Sequence, residues 1–193
     1  SAIRSISLVP GSNPLFGRNS LGGALTIRTK DGASDPGFEL EGSYGSFRRR
    51  TLEAQAGGKT DSGFDWFVVG DYFKERGWRD YSPSEAVQLF GKLGWSDAAS
   101  RIDLSGSFAD TDLNGNGLQE MRLLDADRSS VYTFPDNTQN RAYFSNLTAK
   151  HSFSDALSFS GNLFWRKIGT HTFNGDINDD ALGQNLYQPD AEE

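Results

Sequence analysis

Hydrophobic and polar residues alternate along most of the chain between residues 38 and 166. A period of two is typical of β-strands, because successive side chains point to opposite faces of the sheet. The pattern divides into seven segments, each with one apolar face and one largely polar face, and it predicts an all-β fold. The apolar faces carry Phe38, Leu40 and Tyr44; Leu52, Ala54 and Ala56; Trp66, Val68 and Tyr72; Val87, Leu89, Leu93 and Trp95; Ile102, Leu104 and Phe108; Tyr143, Leu147, Ala149, His151 and Phe153; and Leu157, Phe159, Leu163 and Trp165.

The connections between the predicted strands alternate in length. Residues 57–63, 96–100 and 154–156 form short turns, residues 74–85 and 109–140 form long loops, and no strand is predicted after residue 167. Residues 45–47 are a short exception. Strands of about 8–11 residues with short turns at one end and long loops at the other are typical of outer-membrane barrels. Aromatic residues near the strand ends, such as Tyr72, Trp95 and Trp165, agree with the interfacial girdles of such barrels.

Composition supports a β-protein. The 193 residues include 22 glycines, 12% aromatic residues and no cysteine, which excludes disulfides and thiol chemistry. A mean hydropathy of −0.56 alone would suit a soluble protein. Membrane strands, however, alternate lipid-facing and lumen-facing residues, so their mean hydropathy is also low and does not distinguish a barrel from a soluble protein. No run reaches the roughly 20 apolar residues of a membrane helix. The first residues contain no apolar leader, so the chain is expected to begin after processing or within a longer protein.

The stretch from residue 10 to residue 30 has a different pattern. Pro10 and Gly11 predict a turn, and Asn13 followed by Pro14 predicts the start of a short helical turn. The pair Gly22–Gly23 allows the backbone to pass close to a neighbour. Extended runs are predicted on both sides of this stretch, at residues 3–9 and 24–29.

This stretch resembles the end of the plug domain of TonB-dependent outer-membrane receptors. That family carries the pattern G-x-x-x-x-x-[YF]-G-x-x-x-x-G-G-x-[IL]-x-[IV]-x-T-K. The chain departs from the family before the pattern, with Ser7 where an acidic residue is common and Val9-Pro10-Gly11 where Arg-Gly-Pro is common. The matching positions are Gly11, Phe16, Gly17, Gly22, Gly23, Leu25, Ile27, Thr29 and Lys30.

The resemblance implies a division of the chain into three parts. Residues 1–30 are the C-terminal part of a plug, residues 31–37 are a linker, and residues 38–193 are the first strands and loops of a barrel. The expected fold is therefore a fragment of a plugged transmembrane antiparallel β-barrel, with a small α+β plug segment at its N-terminus. The family's barrel has about 22 strands, and the seven predicted here would form only part of it.

The resemblance also implies a function. It predicts a receptor in the outer membrane of a Gram-negative bacterium that takes up a scarce nutrient, such as a metal–siderophore complex, with energy supplied by the partner TonB. It implies no enzyme activity and no cofactor, and the negative charge of −7 argues against nucleic-acid binding. The alternative is a non-transport binding module, either a soluble β-sandwich or an adhesin-like domain. A passive porin disagrees with the plug-like stretch.

Charged residues suggest how a plug would be held. The plug-like segment carries Arg4, Arg18, Arg28 and Lys30, whereas the polar faces of the first five strands carry Glu39, Glu41, Glu53, Asp71 and Asp103. Opposite charges should meet in a partly dehydrated lumen, so Arg18 or Arg28 is predicted to pair with one of these acids as a latch. The alternative is that these charges face internal water and contribute little.

Other charged residues are expected at the rim. By strand parity, Arg48 and Arg50 point outward and Arg49 points inward. Arg48, Arg50 and Lys167 are candidates for contact with lipid and lipopolysaccharide phosphates, which suit the planar guanidinium group. A solvated rim without such contacts is the alternative.

One segment matches the first half of a calcium-binding loop through Asp112, Asn114 and Asn116. Its twelfth position is Leu123 instead of glutamate, so a polar turn is the simpler interpretation and no metal is expected. The acidic residues within 176–180 allow the same two interpretations, a metal site or a polar turn. His151 and His171 have no cysteine or neighbouring histidine to complete a metal site. The sequence contains no phosphate-binding loop and no G-x-S-x-G nucleophile motif.

Overall fold

The computed structural model describes residues 1–11, 22–115, 117 and 119–175. These residues form antiparallel β-structure with one short helix, α1, at Met121–Ala126. A 3-10 turn at Ser46–Arg48 joins the third and fourth strands. Within the described part, no helix has the length and apolar character needed to cross a bilayer. The strands are β1 Ile3–Pro10, β2 Gly23–Thr29, β3 Gly37–Tyr44, β4 Arg50–Lys59, β5 Phe64–Glu75, β6 Ser84–Ser96, β7 Ser100–Asn114, β8 Asp136–Ser154 and β9 Leu157–Asn174.

Strands β1 and β2 pair as an antiparallel hairpin, the N-terminal hairpin, which confirms the two predicted extended runs. Pro10 pairs with Gly23, whose φ is 148°. A Cβ at Gly23 would lie 2.8 Å from the carbonyl oxygen of Val9, so this close approach requires glycine. The predicted helical turn at Asn13 and Pro14 lies outside the described residues.

The seven remaining strands form one antiparallel meander in the order β3-β4-β5-β6-β7-β8-β9. Its register confirms the predicted face of each strand. One row across the sheet joins Gly70, Leu89, Phe108 and Tyr143. A second row, Trp66-Leu93-Leu104-Leu147-Leu163, lies on the same face. We call this side of the sheet the apolar face.

Several strands are longer than the alternating pattern predicts, and the predicted loop at 109–140 is wrong at both ends. Strand β7 continues to Asn114, β8 begins at Asp136, and β9 continues to Asn174. Polar pairs hold these extensions together across the strands, including Asp110 with Arg141 and Asn140 with Thr170. Hydrophobic periodicity cannot detect a ladder whose two faces are both polar.

The turn predicted at 57–63 is also too long, because Gly57–Lys59 belongs to β4 and only residues 60–63 form the turn. A Cβ at Gly57 would lie 2.6 Å from the carbonyl oxygen of Asp35. Gly57 therefore allows the linker to pack closely on a strand and does not belong to a turn.

Burial is concentrated on the side of the sheet opposite the apolar face. Phe67 is 2% exposed, Val69 is 1% exposed and Asp65 is 2% exposed. The N-terminal hairpin and the linker, residues 31–37, contact this side at β4, β5 and β6. We call it the covered face.

Candidate functional site

The linker is a closed turn. The Asp31 carboxylate accepts hydrogen bonds from the backbone N–H groups of Ala33 (3.1 Å) and Ser34 (2.9 Å) and from the Ser34 hydroxyl (2.7 Å). Burial, the largest influence, raises the pKa of Asp31, but the Ser34 hydrogen bonds together with Lys92 and Arg101 outweigh it and leave the pKa below its usual value. The Asp35 N–H donates to the Asp31 carbonyl oxygen at 2.9 Å. This turn fixes the path of the chain between the hairpin and β3.

Gly32 seats the linker against the covered face. It is buried, and a Cβ at this position would overlap the carbonyl oxygens of Trp66 and Gly58. Linker backbone therefore packs directly on the backbone of β4 and β5, with Gly57 supplying the space from the sheet. A contact of this kind holds only while the positions on both sides lack side chains.

A charge network lies on the covered face near the linker. Arg101 donates to both carboxylate oxygens of Asp65, one of them at 3.2 Å, and its Nε lies 3.0 Å and 3.1 Å from the two oxygens of Asp103. Lys92 Nζ lies 3.9 Å from Asp103. Asp65 is thus a buried carboxylate whose charge is compensated by one guanidinium.

The hairpin and linker are tied to the covered face through polar side chains. Lys30 Nζ donates to Gln55 at 2.7 Å and lies 5.9 Å from the centre of the Phe67 ring. Lys92 Nζ lies 3.5 Å from the Thr29 hydroxyl. Arg4 forms an ion pair with Asp35 at 3.5 Å. A polar cleft of about 610 Å³ remains between hairpin and sheet, bordered by Arg4, Arg28, Lys92, Asn146 and Thr148.

The predicted latch residues have different partners in the structure, and none of the acids among them pairs with an arginine of the described hairpin. Asp103 is held by Arg101 and Lys92, both on the sheet itself. Glu39 accepts a hydrogen bond from Gln55. Glu41, Glu53 and Asp71 border a cavity of about 270 Å³. No carboxylate of the described residues lies within 4.0 Å of Arg28, and Arg18, with Phe16 and Gly17, lies outside the described residues. The latch stays a prediction.

The rim arginines follow strand parity in two of three cases. Arg50 shares the apolar face with Tyr44 and Lys74. Arg49 lies 3.9 Å from Glu75 and 5.3 Å from the Phe73 ring, on the other side.

Arg48 does not follow the parity prediction, because it sits in the 3-10 turn with a φ of 57° and not in a strand. Lys167 is on the apolar face in a different row from Arg50, since Lys167 pairs with Tyr143.

Two of the three candidate calcium residues, Asp112 and Asn114, are strand residues, so their assignment to a loop is wrong. Asp112 and Asn114 lie in β7 and receive hydrogen bonds from Asn137 and Gln139. Asn116 and residues 176–180 lie outside the described part. Within the described part, no three His, Asp or Glu side chains converge in a metal-binding arrangement.

His151 forms a hydrogen bond with the Ser100 hydroxyl through its Nδ1 at 2.9 Å.

Two loops at the opposite end of the sheet from the short turns contact each other, and sequence analysis missed this. In loop 76–83, the Asp80 N–H donates to the Ser129 carbonyl oxygen of loop 115–135 at 2.9 Å. The Tyr81 and Phe134 rings stack with centroids 3.9 Å apart and an interplanar angle of 4°. Tyr81 has a φ of 54°, which is unfavourable for a bulky residue. The aromatic residues Tyr81 and Phe134, each inside an otherwise polar loop, were the signal in the sequence for this contact.

The chain was compared with known proteins. No protein-family model and no curated protein matches it. Solved structures do match: the siderophore receptor PiuA from Acinetobacter baumannii is 16% identical with a TM-score of 0.71 over 89% of this chain. The ferripyoverdine receptor of the outer membrane of Pseudomonas aeruginosa, bound to ferripyoverdine, is 19% identical with a TM-score of 0.67 over 88% of this chain. The chain therefore shares the fold of the matching part of these two structures.

The likeness covers only part of those receptors. The chain spans 27% of PiuA and 24% of the ferripyoverdine receptor. A third structure, the complex of FpvAI with pyocin S2, matches 90% of this chain at 19% identity and a TM-score of 0.64. At these identities the comparison establishes the fold, and the activity follows only as a proposal.

Proposed function

We propose that this chain is part of a TonB-dependent receptor that imports a metal–siderophore complex through the outer membrane of a Gram-negative bacterium. The observation that carries the proposal is the arrangement of the two faces of one sheet. Apolar residues cover the side that nothing in the described chain contacts, and the N-terminal hairpin covers the side that carries the enclosed charges of Asp65, Arg101 and Asp103. The fold shared with siderophore receptors supports the same conclusion.

The apolar face has the character of a lipid-facing surface. Leu104 is 49% exposed and Leu163 is 70% exposed, and apolar residues continue across all seven strands. A contiguous apolar surface of this extent is unstable in water. A soluble sandwich would cover it with a second sheet, and no second sheet packs on it within the described residues.

The covered face has the character of a barrel interior that holds a plug. Residues 1–30 are proposed as the end of the plug, residues 31–37 as its linker, and residues 38–193 as the first part of the barrel. TonB would act on the plug from the periplasm. The predicted latch would resist that pull through Arg18 or Arg28 and one acid of the covered face, in addition to the contact of Lys30 with Gln55.

The rim of the apolar face is proposed to meet lipopolysaccharide. Arg50 and Lys167 lie on this face beyond or beside its aromatic residues Tyr44 and Tyr143. Guanidinium and ammonium groups on this face suit the phosphates of lipopolysaccharide headgroups.

Uptake measurements test the proposal. The full-length receptor would be expressed in cells lacking their own siderophore receptors, and uptake of iron from ⁵⁵Fe-ferripyoverdine and other iron–siderophore complexes would be followed. We expect accumulation of at least one complex that stops when TonB is deleted or the proton gradient is collapsed. Uptake that continues unchanged without TonB would reject energy coupling. A full-length protein that is monodisperse in buffer without detergent would reject the membrane location.

A further inference from the structure

The two contacting loops enclose a cleft that no proposal above uses. It has a volume of about 520 Å³, within the range of small-molecule sites. Helix α1 supplies an apolar wall, and loop 76–83 supplies an indole and a guanidinium. The residues that border the cleft are Trp78, Arg79, Met121, Leu124, Asp125 and Arg128.

The cleft carries uncompensated positive charge. Neither Arg79 nor Arg128 lies within 4.0 Å of a carboxylate in the described chain. The Nε of Arg79 is enclosed and has no hydrogen-bond partner among the described residues. An enclosed donor without an acceptor is costly. Two guanidiniums against the one carboxylate of Asp125 leave a net charge of +1, which suits a singly charged anion.

The cleft also offers a planar surface. The guanidinium of Arg79 lies 5.0 Å from the centre of the Trp78 ring, and Trp78 is 55% exposed. A flat ligand can stack on an exposed indole and on a guanidinium plane, whereas a puckered ring fits them poorly.

The loops hold this arrangement before any ligand arrives. The Ser82 hydroxyl donates to the Arg79 carbonyl oxygen at 2.7 Å, and Ser82 is buried. The Asp127 carboxylate accepts from the N–H (2.9 Å) and hydroxyl (2.7 Å) of Ser129, whose carbonyl oxygen accepts from Asp80. A site that is fixed in advance loses less entropy on binding.

We propose that this cleft is a binding subsite for a planar aromatic monoanion, such as an aryl carboxylate carried by a larger ligand. The carboxylate accepts from Arg128 and from the terminal N–H groups of Arg79, and the aromatic ring stacks on Trp78. The subsite rests on the proposed function only in placing the loops outside the cell. It adds the chemical class of one group of the ligand.

Small probes test the subsite on the full-length receptor in detergent. Isothermal titration calorimetry would measure the Kd of benzoate, with cyclohexanecarboxylate as a non-planar anion, phenol as a neutral planar ring and inorganic phosphate as a plain anion. We expect benzoate to bind about tenfold more tightly than each of the other three, a difference of about 1.4 kcal/mol. Equal binding of cyclohexanecarboxylate or phosphate would reject recognition of a planar ring.

Three variants locate the binding. Arg128→Gln should weaken benzoate about tenfold, and Trp78→Leu should remove the preference for benzoate over cyclohexanecarboxylate. Arg122→Gln is the matched control, because Arg122 lies in the preceding helix α1, pairs with Glu120 and does not border the cleft. Arg128 is exposed, so its replacement should not unfold the loops. Benzoate affinity that is unchanged in Arg128→Gln, or reduced equally in Arg122→Gln, would overturn the proposal.

The result is separable from that of the transport experiment. TonB-dependent uptake by a receptor that does not bind benzoate would reject the subsite and leave transport intact. Benzoate binding that requires Arg128 in a protein without uptake would support the subsite and reject transport.

Discussion

The two faces of the seven-stranded sheet differ in a way that reverses the usual order of burial. The apolar face carries leucine, tryptophan and tyrosine residues that remain exposed, whereas the other face carries Asp65, Lys92, Arg101 and Asp103 and contains the most buried residues. In a water-soluble domain the apolar face is the one that is covered. The difference shows that the burial of a face depends on whether another part of the chain covers it, and not on the polarity of its residues.

The covered face achieves its burial with few apolar side chains. Phe67 is enclosed where Lys30 and the linker backbone pack on the sheet, and the charges of Asp65, Arg101 and Asp103 satisfy one another. The apolar face has no such partner in the described chain and depends on lipid in the proposed function. Substitutions on the two faces should therefore fail for different reasons.

The largest effect is expected from breaking the buried ion pair. Arg101→Leu leaves Asp65 buried without its guanidinium, and we expect a loss of about 3–5 kcal/mol in unfolding free energy. A denaturant refolding titration of the full-length receptor in lipid vesicles measures it. Arg141→Leu is the control, because its pair with Asp110 is exposed and should contribute at most about 1 kcal/mol. Similar losses in both variants would show that the covered face is not dry.

A charge on the apolar face comes next. Leu104→Arg places a cation where lipid is expected and should cost about 2–4 kcal/mol near the membrane midplane. Ser105→Arg, one residue further on, points to the polar cleft beside Asn146 and should cost less. The same refolding titration compares the two. Equal costs would mean that the apolar face does not meet lipid, which would remove the basis of the comparison.

A single methyl group tests the backbone contact. Gly32→Ala inserts a Cβ that overlaps two carbonyl oxygens, and overpacking of this kind costs about 1–3 kcal/mol. Gly45→Ala is the control, because no atom lies within 4 Å of its added Cβ. Hydrogen exchange of residues 30–36 should rise in the first variant only. Unchanged protection would show that the linker tolerates displacement from the sheet.

The smallest effect is expected from a carboxylate that belongs to neither face. Hydrogen bonds from the Ser129 hydroxyl and backbone N–H lower the pKa of Asp127. Its contribution to loop stability is therefore present above the unfolded pKa and is lost as pH falls through the lower, folded pKa. The protection factors of the Ser129 and Ser130 amides should fall below about pH 4, and Asp127→Asn should remove this pH dependence. A fall that persists in the variant would assign it to another group.

The alternating pattern predicts the faces and order of the strands because each side chain's face depends only on position along the strand. It does not predict the extensions of β7, β8 and β9, since pairs such as Asp110 with Arg141 depend on a neighbouring strand. It also misses the docking of Gly32, which is a contact between backbones far apart in sequence.

In the candidate site, too, the sequence predicts the face on which a residue lies but not the partner that it meets. Asp103 is correctly placed on the covered face, yet its partners are Arg101 and Lys92 of the sheet instead of a hairpin arginine. Arg101 and Asp103 are two residues apart on one strand and so share a face, which is a signal that the sequence contains. The cleft beside Trp78 depends on how two loops meet, and periodicity carries no information about that.

The seating of Gly32 has a mechanical consequence. Strands β1 and β2 are antiparallel, so Ile3 and Thr29 are paired at the same end of the hairpin, next to the clamped linker. A force applied at the start of β1 and resisted at Gly32 would load that pair first and peel the hairpin apart one rung at a time. Peeling needs less force than sliding two strands past each other, because the hydrogen bonds do not share the load. The hairpin would therefore unpair at low force and in small steps, while the contact at Gly32 stays in place.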